Sequence, residues 1–115
     1  TQEAVKNIDE ILSVKNLNGV YIGPADMSIA YGLEPKFDVK EDPVFSNIKL
    51  IVKKAKEYGK IAGIHNGTTQ YAKEMIALGY QFITVSSDYR GMTSFNQKIV
   101  KEMKEIKKDQ ESSTY

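Results

Sequence analysis

The segment "GVYIGPADMS", residues 19–28, sets a carboxylate directly behind a short apolar strand. Gly23 has no Cβ to keep a ligand off the backbone, and Pro24 fixes its own φ and turns the chain. Asp26 and Ser28 then fall at the start of a short helical turn, whose first N–H groups have no intrahelical acceptors and form an anion site. One small segment thus offers a hard oxygen ligand for Mg²⁺ or Mn²⁺ beside donors for a substrate carboxylate. The same spacing also suits an aspartate that does no more than cap the turn, and spacing alone leaves both readings open.

Three further residues have chemistry to offer. His65, the single histidine, ends the apolar run Ile61-Ala62-Gly63-Ile64. It could act as a base or ligand, a role open to histidine side chains in general, or line the same mouth. Asp88 follows Ser86-Ser87 and can bond to loop backbone or to a neighbouring arginine. Arg90, the one arginine, is a fork for carboxylates or a solvent-facing side chain. There is no cysteine, which excludes disulfide and thiolate chemistry and fits a reducing cytoplasm.

These residues must be placed by alternating elements. Ala4, Val5, Ile8, Ile11 and Leu12 recur at helical spacing and predict a helix over 2–14. Strands are expected at 20–22, 61–65 and 82–85, and one helical turn near Met27 to Tyr31 in an otherwise irregular stretch. Asp42-Pro43 predicts a helix start, with Val44, Ile48, Ile51, Val52 and Ala55 as the inner face through Tyr58. Thr68 or Thr69 opens the next helix, with Ala72, Met75 and Ile76 inside and Gly79 closing it. A last helix is expected from about Ser94 to Lys108, with Phe95, Ile99, Met103 and Ile106 on one stripe, and a flexible tail over 109–115.

The strands are short, apolar and not alternating, as in parallel sheets buried on both faces, so the fold class is α/β. A complete (β/α)₈ TIM barrel takes roughly 250 residues. Three strands in 115 residues therefore predict the C-terminal portion of one, a partial domain over 1–108. Such a portion exposes sheet edges and a barrel-facing side, and calls for a homo-oligomer or the missing N-terminal part. The chain opens on Thr1 within a helical pattern, which suggests that translation does not start there.

With 41% apolar and 27% charged residues and a net charge of +1, composition is that of a soluble globular protein without a nucleic-acid face. No apolar run approaches the roughly 20 residues of a membrane span. The start lacks a signal-peptide pattern, so a cytoplasmic location is expected.

The stretches "NIDEILSVKNLNGVYIGPADMSIAYG", "EYGKIAGIH" and "FITVSSD" together resemble the C-terminal part of the HpcH/HpaI aldolase family, of the phosphoenolpyruvate/pyruvate barrel superfamily. The family's pattern is "GVDGVFIGPADLS", a helix ending "GK", then "GI", then "FV.VGSD", in this order and at matching separations. The likeness runs from about Thr1 to Lys108, and its specific piece is GPAD[LM]S at a strand end. It implies a class II aldolase that cleaves 2-oxo-4-hydroxy acids to pyruvate and an aldehyde with a divalent cation, Mg²⁺, Mn²⁺ or Co²⁺. The implied chemistry is Lewis-acid polarisation of the 2-oxo carbonyl as the C–C bond breaks.

Carried over by position, the resemblance implies that Asp26 is the second metal-binding carboxylate. Gly23, Pro24, Ala25 and Asp26 would lie against pyruvate, the amides of Ala25 and Asp26 holding its carboxylate. His65 stands where several family members have an aliphatic side chain near the substrate, so it would line the pocket. Ser86 replaces the family's usual glycine. The family's first metal ligand, a glutamate, would immediately precede Thr1, and its catalytic histidine and substrate-binding arginine would lie earlier still. In the family the last helix is exchanged between subunits. Two other readings stand beside this one: a citrate-lyase-like enzyme acting on an acyl-thioester, and a non-catalytic fragment ordered by oligomerisation.

Overall fold

Three apolar runs become three strands in a computed structural model that describes the backbone of residues 1–112 and the side chains of residues 1–104. The chain divides into two compact units, Thr1–Val85 and Ser86 onward. In the first unit the elements are α1 (Gln2–Lys6), α2 (Ile8–Ser13), β1 (Gly19–Ile22), α3 (Pro24–Ala30), α4 (Val44–Glu57), β2 (Ile61–Asn66), α5 (Thr69–Leu78) and β3 (Phe82–Val85). The strands are all parallel, in the order β1-β2-β3, and alternate with helices as the sequence predicts.

Register sorts the strand residues onto two faces. Tyr21 pairs with Gly63, Ile22 with Ile64, Ile64 with Ile83, and His65 with Thr84. Val20, Ile22, Ala62, Ile64, Asn66 and Ile83 therefore share one face, and Tyr21, Ile61, Gly63, His65, Phe82 and Thr84 the other. The first face is packed under α4 and α5. Ile64 is wholly buried there, with Ile48, Met75 and Tyr80 in the same core.

The second face is open, as expected of the barrel-facing side of a partial barrel: Tyr21, Ile61 and Phe82 are each about half exposed. The Tyr21 and Phe82 rings meet with centroids 5.6 Å apart. They close over Gly63, where a Cβ would lie 2.7 Å from Tyr21 Cδ2 and 2.9 Å from Phe82 Cδ1.

The helices follow the apolar spacing and differ at their ends. The expected first helix breaks at Asn7, whose φ of −96° and ψ of 19° make a turn between α1 and α2. Asn is among the weaker helix formers, and here its side chain makes no cap hydrogen bond to the helix that follows. α4 begins at Val44, one residue after Pro43, because the Asp42 carboxylate accepts from Ser46 N–H at 3.0 Å and from its Oγ at 2.6 Å. α4 buries all five expected residues. α5 is capped by Thr68, whose Oγ1 accepts from Tyr71 N–H at 3.2 Å, and by Gly79. Its buried face is Tyr71, Ala72 and Met75; Ile76, expected inside, is more than half exposed.

The stretch between α3 and α4 is irregular but anchored. The Asp38 carboxylate accepts from Gly67 N–H and from Thr68 Oγ1, each at 2.7 Å. The buried Tyr71 hydroxyl donates to the Val39 carbonyl at 2.6 Å.

The second unit is α6 (Asp88–Ser112), which starts six residues before the expected Ser94. Ser87 Oγ accepts from Arg90 N–H at 3.2 Å and caps it early. Along α6, Phe95, Ile99 and Met103 are exposed. The side chain of Ile106 and residues 113–115 of the expected tail lie outside the described residues.

Candidate functional site

β1 ends at Ile22, and the chain turns through Gly23 straight into α3, with Pro24 at the first helical position. Pro24, Met27 and Ser28 form the buried stripe of this helix. Asp26 is on the outer side and exposed; Gly23 and Ala25 are half-buried. Helix geometry leaves the Ala25 and Asp26 amides without intrahelical acceptors, while Met27 N–H is already bonded to the Gly23 carbonyl at 2.9 Å.

The Asp26 carboxylate folds back over Gly23. A Cβ on Gly23 would lie 2.7 Å from Asp26 Oδ2, so the glycine makes room for that oxygen above the sheet's carboxyl edge. Gly23 itself is the N-cap, and no side chain bonds to the cap. Among the described residues Asp26 has no side-chain hydrogen bond or ion pair. A carboxylate that caps nothing, at the carboxyl edge of a parallel sheet, is a hard oxygen free to take a cation. The described residues hold no cluster of three or more His, Cys, Asp or Glu that could hold a metal ion, so Asp26 stands there without two further candidate donors of that kind clustered beside it.

Ser28 is not part of this mouth. Its hydroxyl is buried and donates to the Pro24 carbonyl at 2.9 Å, one turn back in its own helix. An apolar groove of about 280 Å³ runs beside β1, lined in part by Thr1, Val5, Ile8, Tyr21, Gly23 and Asp26. Thr1 caps α1, its Oγ1 accepting from Ala4 N–H at 3.1 Å.

His65 lies half-buried near the carboxyl end of β2, on the open face of the sheet. Its Nδ1 is 2.8 Å from Thr84 Oγ1, and Thr84 Oγ1 is 2.5 Å from the Tyr21 hydroxyl. The Phe37 ring stands edge-on to the imidazole, centroids 5.1 Å apart. Thr84, Tyr21 and Phe37 were not singled out by sequence, because only strand register brings the first two to His65. Asn66, the next residue, is wholly buried and donates from Nδ2 to the Thr84 carbonyl at 3.0 Å, tying the ends of β2 and β3 together.

Asp88 and Arg90 belong to the second unit. The Asp88 carboxylate accepts from Tyr89 N–H at 2.7 Å in the first turn of α6, and Arg90 is exposed. Ser86 takes φ of 59°, the left-handed region that favours glycine. No helix among the described residues is long and apolar enough to cross a membrane.

The HpcH/HpaI aldolase/citrate lyase family matches residues 1–94. A hydroxypyruvate/pyruvate aldolase of Rhizorhabdus wittichii is 36% identical over 100 residues, spanning 87% of this chain and 40% of that protein. A 4-hydroxy-2-oxo-heptane-1,7-dioate aldolase of Escherichia coli is 36% identical over 88 residues, 76% of this chain and 33% of that protein. The chain thus spans about two fifths or less of these relatives' length. The solved HpcH/HpaI aldolase from Desulfitobacterium hafniense superposes on 90% of this chain with a TM-score of 0.81 and 25% identity, using 39% of its own chain. A citrate synthase variant shares the fold, with a TM-score of 0.73 at 24% identity over 92% of this chain and 46% of its own. Three parallel strands, the GPAD turn at the first strand end and the match over 1–94 agree: the chain belongs to the HpcH/HpaI aldolase/citrate lyase family.

Proposed function

We propose that this chain carries the C-terminal part of the active site of a class II pyruvate aldolase, with Asp26 as a carboxylate ligand to a divalent cation. The observation that carries this reading is the Asp26 side chain itself. It is exposed at the carboxyl edge of the sheet, lodged over Gly23, and has no hydrogen bond or ion pair among the described residues. Mg²⁺, Mn²⁺ or Co²⁺ would suit this oxygen, and a cation held there supplies Lewis-acid polarisation of a 2-oxo carbonyl.

The chain's own residues would bind and orient the substrate. The amides of Ala25 and Asp26 point from the first turn of α3 toward a substrate carboxylate. Gly23 and Pro24 let the 2-oxo acid approach the backbone, and His65 lines the wall one strand away. Thr1 and Asp26 line the same groove, so a carboxylate placed just before Thr1 would enter the site beside Asp26. This supports a two-carboxylate metal site completed from the preceding strand. The general base and the substrate-binding arginine would come from elsewhere in a complete barrel.

The names of the relatives favour aldol cleavage of a 2-oxo-4-hydroxy acid over thioester chemistry. The open face of the sheet, with Tyr21, Ile61 and Phe82 exposed, favours a chain that works covered, by the rest of a barrel or by another copy. The test is pyruvate binding to the ¹⁵N-labelled chain, with and without Mg²⁺. Amide shifts at Ala25 and Asp26 that require Mg²⁺ and vanish in Asp26→Asn support the reading. Shifts independent of both would refute it.

A further inference from the structure

The β1–β2 register ends at the Ile22–Ile64 pair, so Gly23 and His65 each follow directly on that pair at the carboxyl ends of neighbouring strands. Asp26 Oδ2 occupies the space over Gly23, on the open face that His65 shares. The imidazole and the carboxylate therefore both belong to the carboxyl edge of the sheet, on neighbouring strand ends. His65 is not left to choose its own orientation: Nδ1 is tied to Thr84 Oγ1, whose other neighbour is the Tyr21 hydroxyl. Nε2 has no hydrogen bond among the described residues, although the ring is half-buried and walled by Phe37. A polar ring nitrogen so placed gains from a ligand partner.

Thr84 Oγ1 has one proton and two partners, so the chain of bonds has two self-consistent directions. In one, Tyr21 donates to Thr84, Thr84 donates to Nδ1, and Nε2 carries its proton outward. In the other, Nδ1 donates to Thr84, Thr84 donates to Tyr21, and Nε2 offers a lone pair. A ligand hydroxyl can donate and accept, so it satisfies Nε2 in either state, while a methyl group satisfies it in neither.

We propose that Tyr21, Thr84 and His65 form a specificity device, in which Thr84 and Tyr21 position the imidazole so that Nε2 reads a hydroxyl on the carbon next to the 2-oxo group of the substrate. The proposal rests on the Asp26 reading for the placement of the 2-oxo acid. It favours substrates of the hydroxypyruvate type, with an oxygen at that carbon, over those of the pyruvate type.

The experiment compares hydroxypyruvate and pyruvate binding to the ¹⁵N-labelled chain with Mg²⁺ present, read at the His65 ring nitrogens. Hydroxypyruvate should bind roughly three- to tenfold more tightly, the value of one hydrogen bond, and shift Nε2. His65→Leu should make the two acids equal. Thr84→Val should remove most of the preference and change the ring's ¹⁵N tautomer pattern, and Thr84→Ser should restore both. Equal affinities in the unaltered chain, binding of neither acid, a preference that survives His65→Leu, or an unchanged tautomer pattern in Thr84→Val would each overturn the proposal. Asp26→Asn separates the two readings, since it should weaken both acids alike and leave their ratio intact. If Asp26→Asn changes neither affinity, the metal reading fails while the ratio still judges His65.

Discussion

The two faces of the same three-stranded sheet differ in both residue type and exposure. On one, Ile22, Ala62, Ile64 and Asn66 are buried beneath α4 and α5. On the other, Tyr21, Ile61 and Phe82 stand about half exposed around Gly63, next to the Tyr21–Thr84–His65 chain and below Asp26. The covered face gains stability from transfer of apolar surface out of water, and its one polar strand side chain, Asn66, donates from Nδ2 to two backbone carbonyls while its buried Oδ1 has no partner among the described residues. The open face gains little of that, and it carries the groups with free valence for a ligand. The packed core and the candidate site thus lie on opposite sides of one sheet.

The sharpest way to break this division is to truncate one residue from each face. Ile64→Ala should cost about 3–4 kcal/mol, since its neighbours cannot fill the space, whereas Phe82→Ala should cost roughly 1 kcal/mol or less, because the ring is already wet. Urea midpoints of the two variants measure the difference, and equal losses would end the comparison.

A second probe concerns Tyr71, on the covered side. Burial, and then the carboxylates of Asp38, Glu74 and Glu41, push its pKa from 10.0 up to about 12. Because the folded value lies above the unfolded one, its contribution is complete below pH 10 and is lost as pH rises toward 12. The loss should be on the order of 2 kcal/mol at most, and Tyr71→Phe should flatten that part of the stability–pH curve. An unchanged alkaline slope in Tyr71→Phe would show that its hydroxyl does not anchor Val39 in solution.

Smaller still is Gly63→Ala. The new Cβ meets ring atoms of Tyr21 and Phe82, which can swing outward on the open face, so the cost should be about 1 kcal/mol. The displaced Tyr21 ring should also lose Thr84, visible as a change in the His65 ¹⁵N pattern. Smallest is Asp26→Asn, expected within about 0.5 kcal/mol of the parent chain by urea unfolding, since the carboxylate has no partner to lose among the described residues.

Much of the covered side was legible in the sequence because apolar period and caps report it directly. Ile48, Ile51, Val52 and Ala55 lie inside α4 as their spacing predicts, and Thr68 and Gly79 bound α5. β3 has the expected limits, 82–85. What escaped has both local and long-range causes. Asn7 breaks a pattern whose apolar period runs on unbroken, and Ile76 is apolar but falls outside the face that α5 buries. The start of α6 was hidden because a Ser87 cap six residues early is quiet beside Gly91, which reads as a breaker. At the site, Asp26 and Gly23 were readable from a strand-end motif. Thr84 and Tyr21 were not, since only register brings them to His65. Ser28 looked like part of the motif and instead serves its own helix.

The most direct test of the central claim, that Asp26 offers its carboxylate to a divalent cation at the sheet's edge, is a map of Mn²⁺ broadening over the amide resonances of the chain. At low Mn²⁺ broadening should centre on Gly23 to Met27 and on the neighbouring end of β2, be lost in Asp26→Asn and be competed by Mg²⁺. Broadening that is spread over the surface carboxylates, or that persists unchanged in Asp26→Asn, would contradict the claim.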